Sequence, residues 1–426
     1  MSESFLHYIW QLQYFNKQSL TTSEGENISI LKTGNLNTNS GPDFSLAKVK
    51  IGDVEWAGSV EVHIKGSDWY LHHHEIDDAY ENVVLHVVWE NDKPVYRKNK
   101  TLLPTLELKE RVNESLLKEY TKLINSSLTV ACGKVFGEVD SFVKTSMLDK
   151  SLLQRLETRA NYVKELLNQN TGDWEETVYQ LLAKNFGFKI NAEPFFRLSK
   201  SLPYKIIQKQ NSLIQVEALL FGQAGMLETK TKDEYISSLF HEFHFLEQKF
   251  SLQNGKLNAA EWKFLRLRPA NFPTVRIAQF ASLIFNMKNI FSLIISSESY
   301  SAIRETFSQG QSDYWRTHYR FGAKAKGVVP ELGELSIQNI VINSIAPLLV
   351  AYGKHRDEQM LIDRAIELLQ QIPAEENRIT RIWSDLGLKV KSAFDSQALI
   401  ELHNSFCEKR LCLNCDIGSS ILKPMK

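Results

Sequence analysis

A chain of 426 residues has room for two or three domains, and its 43% hydrophobic and 23% charged residues describe a globular protein with sizeable cores, not a disordered or fibrous one. Fifty basic and fifty acidic residues cancel, which excludes a global field drawing the chain to nucleic acid or membrane and leaves only a local basic surface for such a role. Four cysteines are too sparse for a disulfide framework.

The opening segment, MSESFLHYIWQLQYFNKQ, lacks a basic leader and a small-residue cleavage site. It reads as an amphipathic helix over Phe5–Phe15 instead of a signal peptide. Period-2 patterning then predicts strands at Ile28–Thr33, Phe44–Ile51 and Val54–Lys65, the last two joined by Gly52-Asp53. A short helix is expected near Glu75–Asn82. The almost wholly apolar Val83–Trp89 follows as a central strand buried on both faces, and Leu102–Leu108 as an outer one. The order is α-β-β-β-α-β, an α+β domain with a mixed sheet over residues 1–125. After a connection at 126–140, apolar residues recur at three and four positions. This predicts a mostly α-helical domain over 141–426, with helices at Met147–Leu167, Trp174–Asn185, Tyr235–Phe250, Val275–Ile295, Ile337–Tyr352, Glu358–Gln371 and Ala374–Leu386. The apolar run at 284–295 is interrupted by Asn286, Lys288 and Asn289, too short and too polar to span a bilayer. A cytoplasmic protein without a membrane partner is the expectation.

The chemistry concentrates between Gly41 and Glu90, where five of the eleven histidines fall. Alternation along WAGSVEVHIK puts Glu61, His63 and Lys65 on one strand face, and Asp43 opens the preceding strand after Gly41-Pro42. Such a face is either a solvated surface or the lining of a site. Two carboxylates there suit Mg²⁺ or Mn²⁺ with waters left for substrate, and a neighbouring basic group orients the attacking water. Pro42-Asp43 and Glu61-Val62-His63, within the α-β-β-β-α-β order, resemble the motif of the PD-(D/E)XK (restriction-endonuclease-like) superfamily. That resemblance implies a divalent-metal-dependent nuclease acting on DNA or RNA, with Asp43 and Glu61 as metal ligands. The departure is that His63 stands where the superfamily has lysine. Either His63 or Lys65 then takes the catalytic role, or the site is inactive.

Asp68, His72, His74 and His86 follow. His72-x-His74 with a nearby Glu and His86 also resembles the three-imidazole, one-carboxylate set of cupin barrels. The plainer reading makes Asp68, His72 and His74 a hydrogen-bonded loop and His86 a satisfied core residue. Near the C-terminus, Cys407, Cys412 and Cys415 have C-x4-C-x2-C spacing. With Cys132 they offer four thiolates for Zn²⁺ or an iron–sulfur cluster, or remain four reduced thiols. In the helical part, Trp262 to Arg276 interleaves Arg266, Arg268 and Arg276 with aromatics and prolines. These are candidate phosphate contacts, or else cations that satisfy helix ends and buried acids. Tyr314 to Arg320 is open to the same two readings. No phosphate-binding loop, dinucleotide fingerprint or serine-hydrolase elbow occurs.

Taken together, NSGPDF, W-x-G-x-VE-x-H, SDW-x-x-H-x-H, LHVV, RLRPANFP-x-x-R and C-x-KR-x-C-x-x-C-x-IG resemble one bacterial family, domain of unknown function 2851, over nearly the whole chain. The resemblance implies an uncharacterised bacterial protein and names no activity. The expected function is therefore a metal-dependent nuclease. Its alternatives are a non-enzymatic nucleic-acid- or protein-binding scaffold with a structural cysteine–metal site, and a cupin-like metal-binding protein.

Overall fold

Alternation in the first hundred residues builds a mixed sheet, and the computed structural model describes it within residues 1–227 and 232–423. Helix α1 (Glu3–Leu12) is followed by β1 (Ile28–Lys32), β2 (Asn35–Leu36), β3 (Phe44–Ile51) and β4 (Val54–Lys65). The short helix α2 (Asp68–Leu71), β5 (Val83–Glu90) and β6 (Thr105–Glu107) come next. The strand order is β1-β3-β4-β5-β6, with β2 paired to β3. The β1–β3 and β3–β4 pairs are antiparallel, whereas β4–β5 and β5–β6 are parallel. The sheet curls into a half-barrel. Between β3 and β4 the chain reverses in two residues, and Gly52 takes φ +57°, which glycine adopts without strain.

One face of this sheet carries the apolar core. Phe5, Leu6, Ile9 and Trp10 of α1 are fully buried in the same cluster as Phe44, Val60, Val62, Leu85 and Val87, and the Trp10 indole donates to the Thr33 carbonyl at 3.0 Å. Burying four such side chains is worth several kcal/mol, at about 1.5–3 kcal/mol each. On the other face Trp69, Val83, Val95 and Leu103 make a smaller cluster. The middle of β4 is therefore covered on both sides, and the polar side chains on its second face are enclosed.

The crossover between β4 and β5 differs from the expected helix at Glu75–Asn82. Helical structure there is limited to α2 and a single 3₁₀ turn at Asp78–Tyr80. Three consecutive histidines end α2, and His73 takes a left-handed φ of 61° that breaks helical continuation. Asp77 caps the following turn through the Ala79 N–H.

The chain separates into two compact units, Met1–Leu148 joined by the segment from Leu402 onward, and Asp149–Glu401. Periodicity alone put the cysteine-bearing end with the helices. In the structure the Tyr8 hydroxyl reaches Ser419 at 3.2 Å, and Cys412 and Leu422 lie in the core of the sheet unit. A boundary at 126–140 rests on the change of period. The compact unit runs on to 148 because the helix Ser141–Gln169 begins within it. The second unit is mostly helical. Its expected helix at Val275–Ile295 is two, Pro273–Asn286 and Ile290–Ser296, bent by 79° where Met287 leaves helical geometry. A small hairpin pairs His318–Arg320 with Ala323–Lys324. Glu334–Arg356 has the length and apolarity of a membrane span, and 67% of its apolar 18-residue window is buried inside the protein, the profile of a core helix.

Candidate metal centre

The polar face of β4 is built by register. Parallel pairing sets Glu61 beside His86 and His63 beside Val88, so Glu61 and His86 point to the same side. A register shift between Ser59 and Val60 leaves Val84 unpaired. Both Val84 and Leu85 then face the apolar core, and the shift is what turns His86 toward Glu61 and His63. Gly58 permits the close approach, since a Cβ there would lie 2.4 Å from the Asn82 carbonyl oxygen.

Asp43 and Glu61 lock one another through the backbone. The Asp43 N–H donates to Glu61 Oε2 at 3.0 Å, and the Val62 N–H donates to Asp43 Oδ2 at 3.0 Å. His7 of α1 places its Nε2 3.1 Å from Asp43 Oδ2. The other oxygen of Glu61, Oε1, faces imidazoles: His74 Nε2 at 3.4 Å and His63 Nε2 at 3.6 Å. His63 Nε2 is 3.1 Å from His72 Nδ1, and His63 Nδ1 is 2.9 Å from His86 Nε2. His63, His72 and His74 can each offer a donor within 4.8 Å of the others. The left-handed turn at His73 lets His72 and His74 return to the same point while His73 faces solvent.

Burial sets the protonation of these groups. Desolvation raises the Glu61 carboxyl, with the hydrogen bond from His74 opposing it. His63 is pushed down to about 3 by burial and then by His74 and His72. His86, fully enclosed, falls well below the usual imidazole value, by burial first and then by its histidine neighbours. The Tyr80 ring stacks on His74 at 3.7 Å, and its hydroxyl is raised to about 12 by burial, then by Glu61 and Asp43. Imidazoles held neutral are in the form that ligates metal ions. Donors on a tetrahedral ion bound at about 2.0–2.1 Å sit about 3.3–3.4 Å apart. The His63–His72, Glu61–His74 and Glu61–His63 separations of 3.1, 3.4 and 3.6 Å are near that scale, while the set whose donors all lie within 4.8 Å of one another is the three imidazoles.

Asp43, Glu61, His63, His72, His74 and His86 thus converge. Lys65 is exposed and within electrostatic reach of Asp92, because the strand ends there and the chain turns away at Gly66. Asp68 spends its carboxylate on the Lys65 N–H at 2.8 Å, a local cap outside the cluster. Glu75, the nearest carboxylate in sequence to His72 and His74, acts on the Tyr70 hydroxyl, so Glu61 is the carboxylate that meets the imidazoles. Sequence reasoning missed His7. Its only signal was one imidazole inside the otherwise apolar FLHYIW of α1.

The cysteines also gather. Arg410 lays its guanidinium on the Ser126 and Leu128 carbonyls at 2.9 and 2.8 Å, binding the C-terminal segment to the stretch before Cys132. Cys412 opens a 3₁₀ turn whose carbonyl receives the Cys415 N–H at 3.4 Å. Burial, then Cys415 and Cys412, raises the Cys132 thiol to about 12. Cys407 is raised by burial and then by all three other cysteines. Cys412 is raised to about 11, by burial and then Cys415.

The candidate nucleic-acid arginines divide. Arg266 and Arg268 are exposed, whereas Arg276 is buried and bonded to Asn271, Gln279 and Ser336, out of reach of a polyanion on the surface. In the second basic–aromatic run, Trp315 is fully buried and Arg320 lies over Phe264 and Phe272.

A family described as "Protein of unknown function (DUF2851)" matches residues 3–378. The chain belongs to this family. No curated protein and no solved structure matches it. Membership gives the site no chemistry, so its function rests on the geometry above.

Proposed function

We propose that the chain is a divalent-metal-dependent hydrolase whose substrate class is a nucleic-acid phosphodiester. The observation that carries the proposal is the meeting of Glu61 Oε1 with His63 and His74 at 3.6 and 3.4 Å, His72 being 3.1 Å from His63. Glu61, His63, His72 and His74 would hold the ion. Three imidazoles with one carboxylate favour a transition metal such as Zn²⁺, Mn²⁺ or Fe²⁺ over Mg²⁺, which two carboxylates alone would suit. Such an ion supplies an activated water and stabilises charge on the phosphoryl oxygens. Asp43 keeps one oxygen locked on the Val62 N–H, so its Oδ1 would be the group to hold a proton at this site, and His7 beside it would steady the charge. His86 fixes the His63 ring through Nδ1, so that Nε2 is the nitrogen presented.

Support for the phosphodiester class comes from the motif residues: Asp43 just before β3 and Glu61 and His63 on its antiparallel neighbour β4 fall where the PD-(D/E)XK pattern has its acidic residues and lysine. His63 takes the lysine position in this reading, and Lys65 takes no part. The same donor set also favours a cupin-like metal protein in one respect, its three imidazoles and single carboxylate.

Chelated protein titrated with Zn²⁺, Mn²⁺, Fe²⁺ and Mg²⁺, then assayed on labelled single- and double-stranded DNA and RNA, tests both parts. Expected are stoichiometric binding of a transition ion and cleavage abolished by Asp43→Asn with binding retained. Metal binding without cleavage of any of the four substrates would sink the nuclease and leave a metal-binding scaffold. A protein that binds no transition ion would sink the centre itself. Cys132, Cys407, Cys412 and Cys415 in this proposal form a separate, closed zinc site that staples the C-terminal segment to the sheet unit. Elemental analysis after anaerobic purification should find zinc there. A brown, iron-containing sample would make it a cluster instead.

A further inference from the structure

The helical unit holds a cavity of about 330 Å³, in the range of small-molecule sites. Phe186, Phe188, Phe195 and Leu267 line it, Arg276 closes part of its wall, and Leu335, 81% exposed, stands at its mouth. Arg276 is 6% exposed. Its guanidinium donates to the side-chain oxygens of Gln279 at 2.9 Å, Asn271 at 2.6 Å and Ser336 at 3.0 Å, all neutral acceptors. Among the described residues no carboxylate pairs with it, and its Nε–H has no protein partner. Burial lowers its pKa to about 10, the sign of a charge held where charge is disfavoured.

Two further features set this arginine apart from a structural one. It lies in the first turn of the helix Pro273–Asn286, where the positive end of the helix dipole favours an anion and opposes a cation. The ring above it, Phe188, sits 4.6 Å from the guanidinium carbon on a residue with φ +48°, a left-handed conformation that costs a non-glycine residue free energy. A buried cation without a counter-ion at the positive end of a helix is a place an anion would stabilise, even though the Phe188 face offsets part of the cost by a cation–π contact.

We propose that this cavity binds a small organic anion, with one oxyanion group seated on Arg276 and an apolar body against Phe186, Phe188, Phe195 and Leu267. Both Nη2 hydrogens are spent on Asn271 and Ser336, so the Nε–H and the second Nη1–H are the charged donors left for an oxyanion. The site is independent of the sheet-borne metal centre, and either can fail without the other.

Calorimetry and thermal melting of the full-length protein with 3-phenylpropionate, phenyl phosphate and the uncharged 3-phenylpropanamide test it. Expected is one-to-one binding of the carboxylate, the phosphate or both, with a raised melting temperature and no binding of the amide. Whichever anion binds names the oxyanion. Arg276→Met should bind that anion about tenfold more weakly or worse, while keeping or raising the melting temperature of the unliganded protein. A purely structural arginine would instead lower it. Leu335→Asp, which adds a negative charge at the mouth and leaves the guanidinium alone, should also weaken the anion, and it serves if Arg276→Met does not fold. Failure of both anions to bind, equal binding of the amide, or unchanged anion affinity in Arg276→Met or Leu335→Asp would overturn the proposal.

Discussion

Two buried glutamates, one in each unit, show what separates a structural polar group from a candidate ligand. Glu217 of the helical unit is 1% exposed, and both its oxygens are taken: Oε2 accepts the Tyr235 hydroxyl at 2.9 Å and Oε1 the Ser312 hydroxyl at 2.6 Å. Tyr235 in turn accepts the Trp315 indole N–H at 2.9 Å, so the network closes on itself. Glu61 of the sheet unit is 5% exposed, and its partners are of another kind. One oxygen holds the Asp43 N–H, and the other looks at two imidazoles from 3.4 and 3.6 Å. Burial raises both carboxyls. Burial and a shifted pKa are therefore common to both, and what marks a site is that the second oxygen of Glu61 meets imidazoles, groups that ligate metals, instead of hydroxyls.

Breaking the closed network should have the largest effect on stability. Glu217→Ala strands the Tyr235 and Ser312 hydroxyls in a dry interior, and each orphaned group costs about 1–3 kcal/mol. Urea denaturation should show a loss of about 2–4 kcal/mol, with metal binding at the sheet unchanged. His63→Ala should do the reverse. It removes a ligand and the support for His72, and metal affinity should fall about a hundredfold or more, a loss of binding beyond the stability cost of the opened cavity and the orphaned His86 ring. His86→Phe tests the layer behind. It keeps the bulk of a fully buried ring but removes the partner of His63 Nδ1, and isothermal titration should give affinity lower by about 10–100-fold. If His86→Phe leaves affinity untouched, His86 is only a core residue.

How far the sequence reached is clearest on β4. Its ends and those of β3 were readable because the alternation is regular and a Gly-Asp turn fixes the register. The shared face of Glu61 and His63 followed from the same period. His86 was not readable in the same way, since it sits in an almost unbroken apolar run and its direction depends on a register shift at Val84. His7 lies on a helix, where no local pattern points toward a sheet residue. Arg276 was left between a phosphate surface and a structural cation because basic–aromatic interleaving looks alike in an exposed loop and in a core, and only burial tells them apart. The cysteines' convergence depends on a chain return across the whole helical unit, which periodicity does not encode.

The comparison also predicts a pH dependence. The Glu217 carboxyl is raised by burial from 4.5 to about 7. The native state thus holds a proton that the unfolded chain has released between pH about 4.5 and about 7, and stability falls as pH rises through that window. This contribution is fully present below pH about 4.5 and gone above pH about 7, an amplitude on the order of 3 kcal/mol. Glu217→Gln, which mimics the neutral acid, should remove that part of the slope in urea titrations at a series of pH values. A slope unchanged in the variant would place the proton elsewhere.

The smallest expected effect decides which basic residue serves the sheet site. Lys65 shares a strand face with Glu61 and His63 in any idealised strand, and a nuclease of the PD-(D/E)XK kind would need its ammonium over the metal-bound water. In this fold β4 ends at Lys65, Asp68 holds its backbone N–H at 2.8 Å, and its side chain is in solvent near Asp92. An exposed lysine contributes little to a site it does not touch, and its field is screened within about 10 Å at ordinary ionic strength. Lys65→Ala should therefore change metal affinity and any cleavage rate by less than about twofold, well inside the effects of His63→Ala and His86→Phe. A large loss of cleavage with metal affinity intact would mean that the side chain swings over the site when substrate binds. It would return the catalytic role from His63 to Lys65, and the buried imidazoles would then be ligands only.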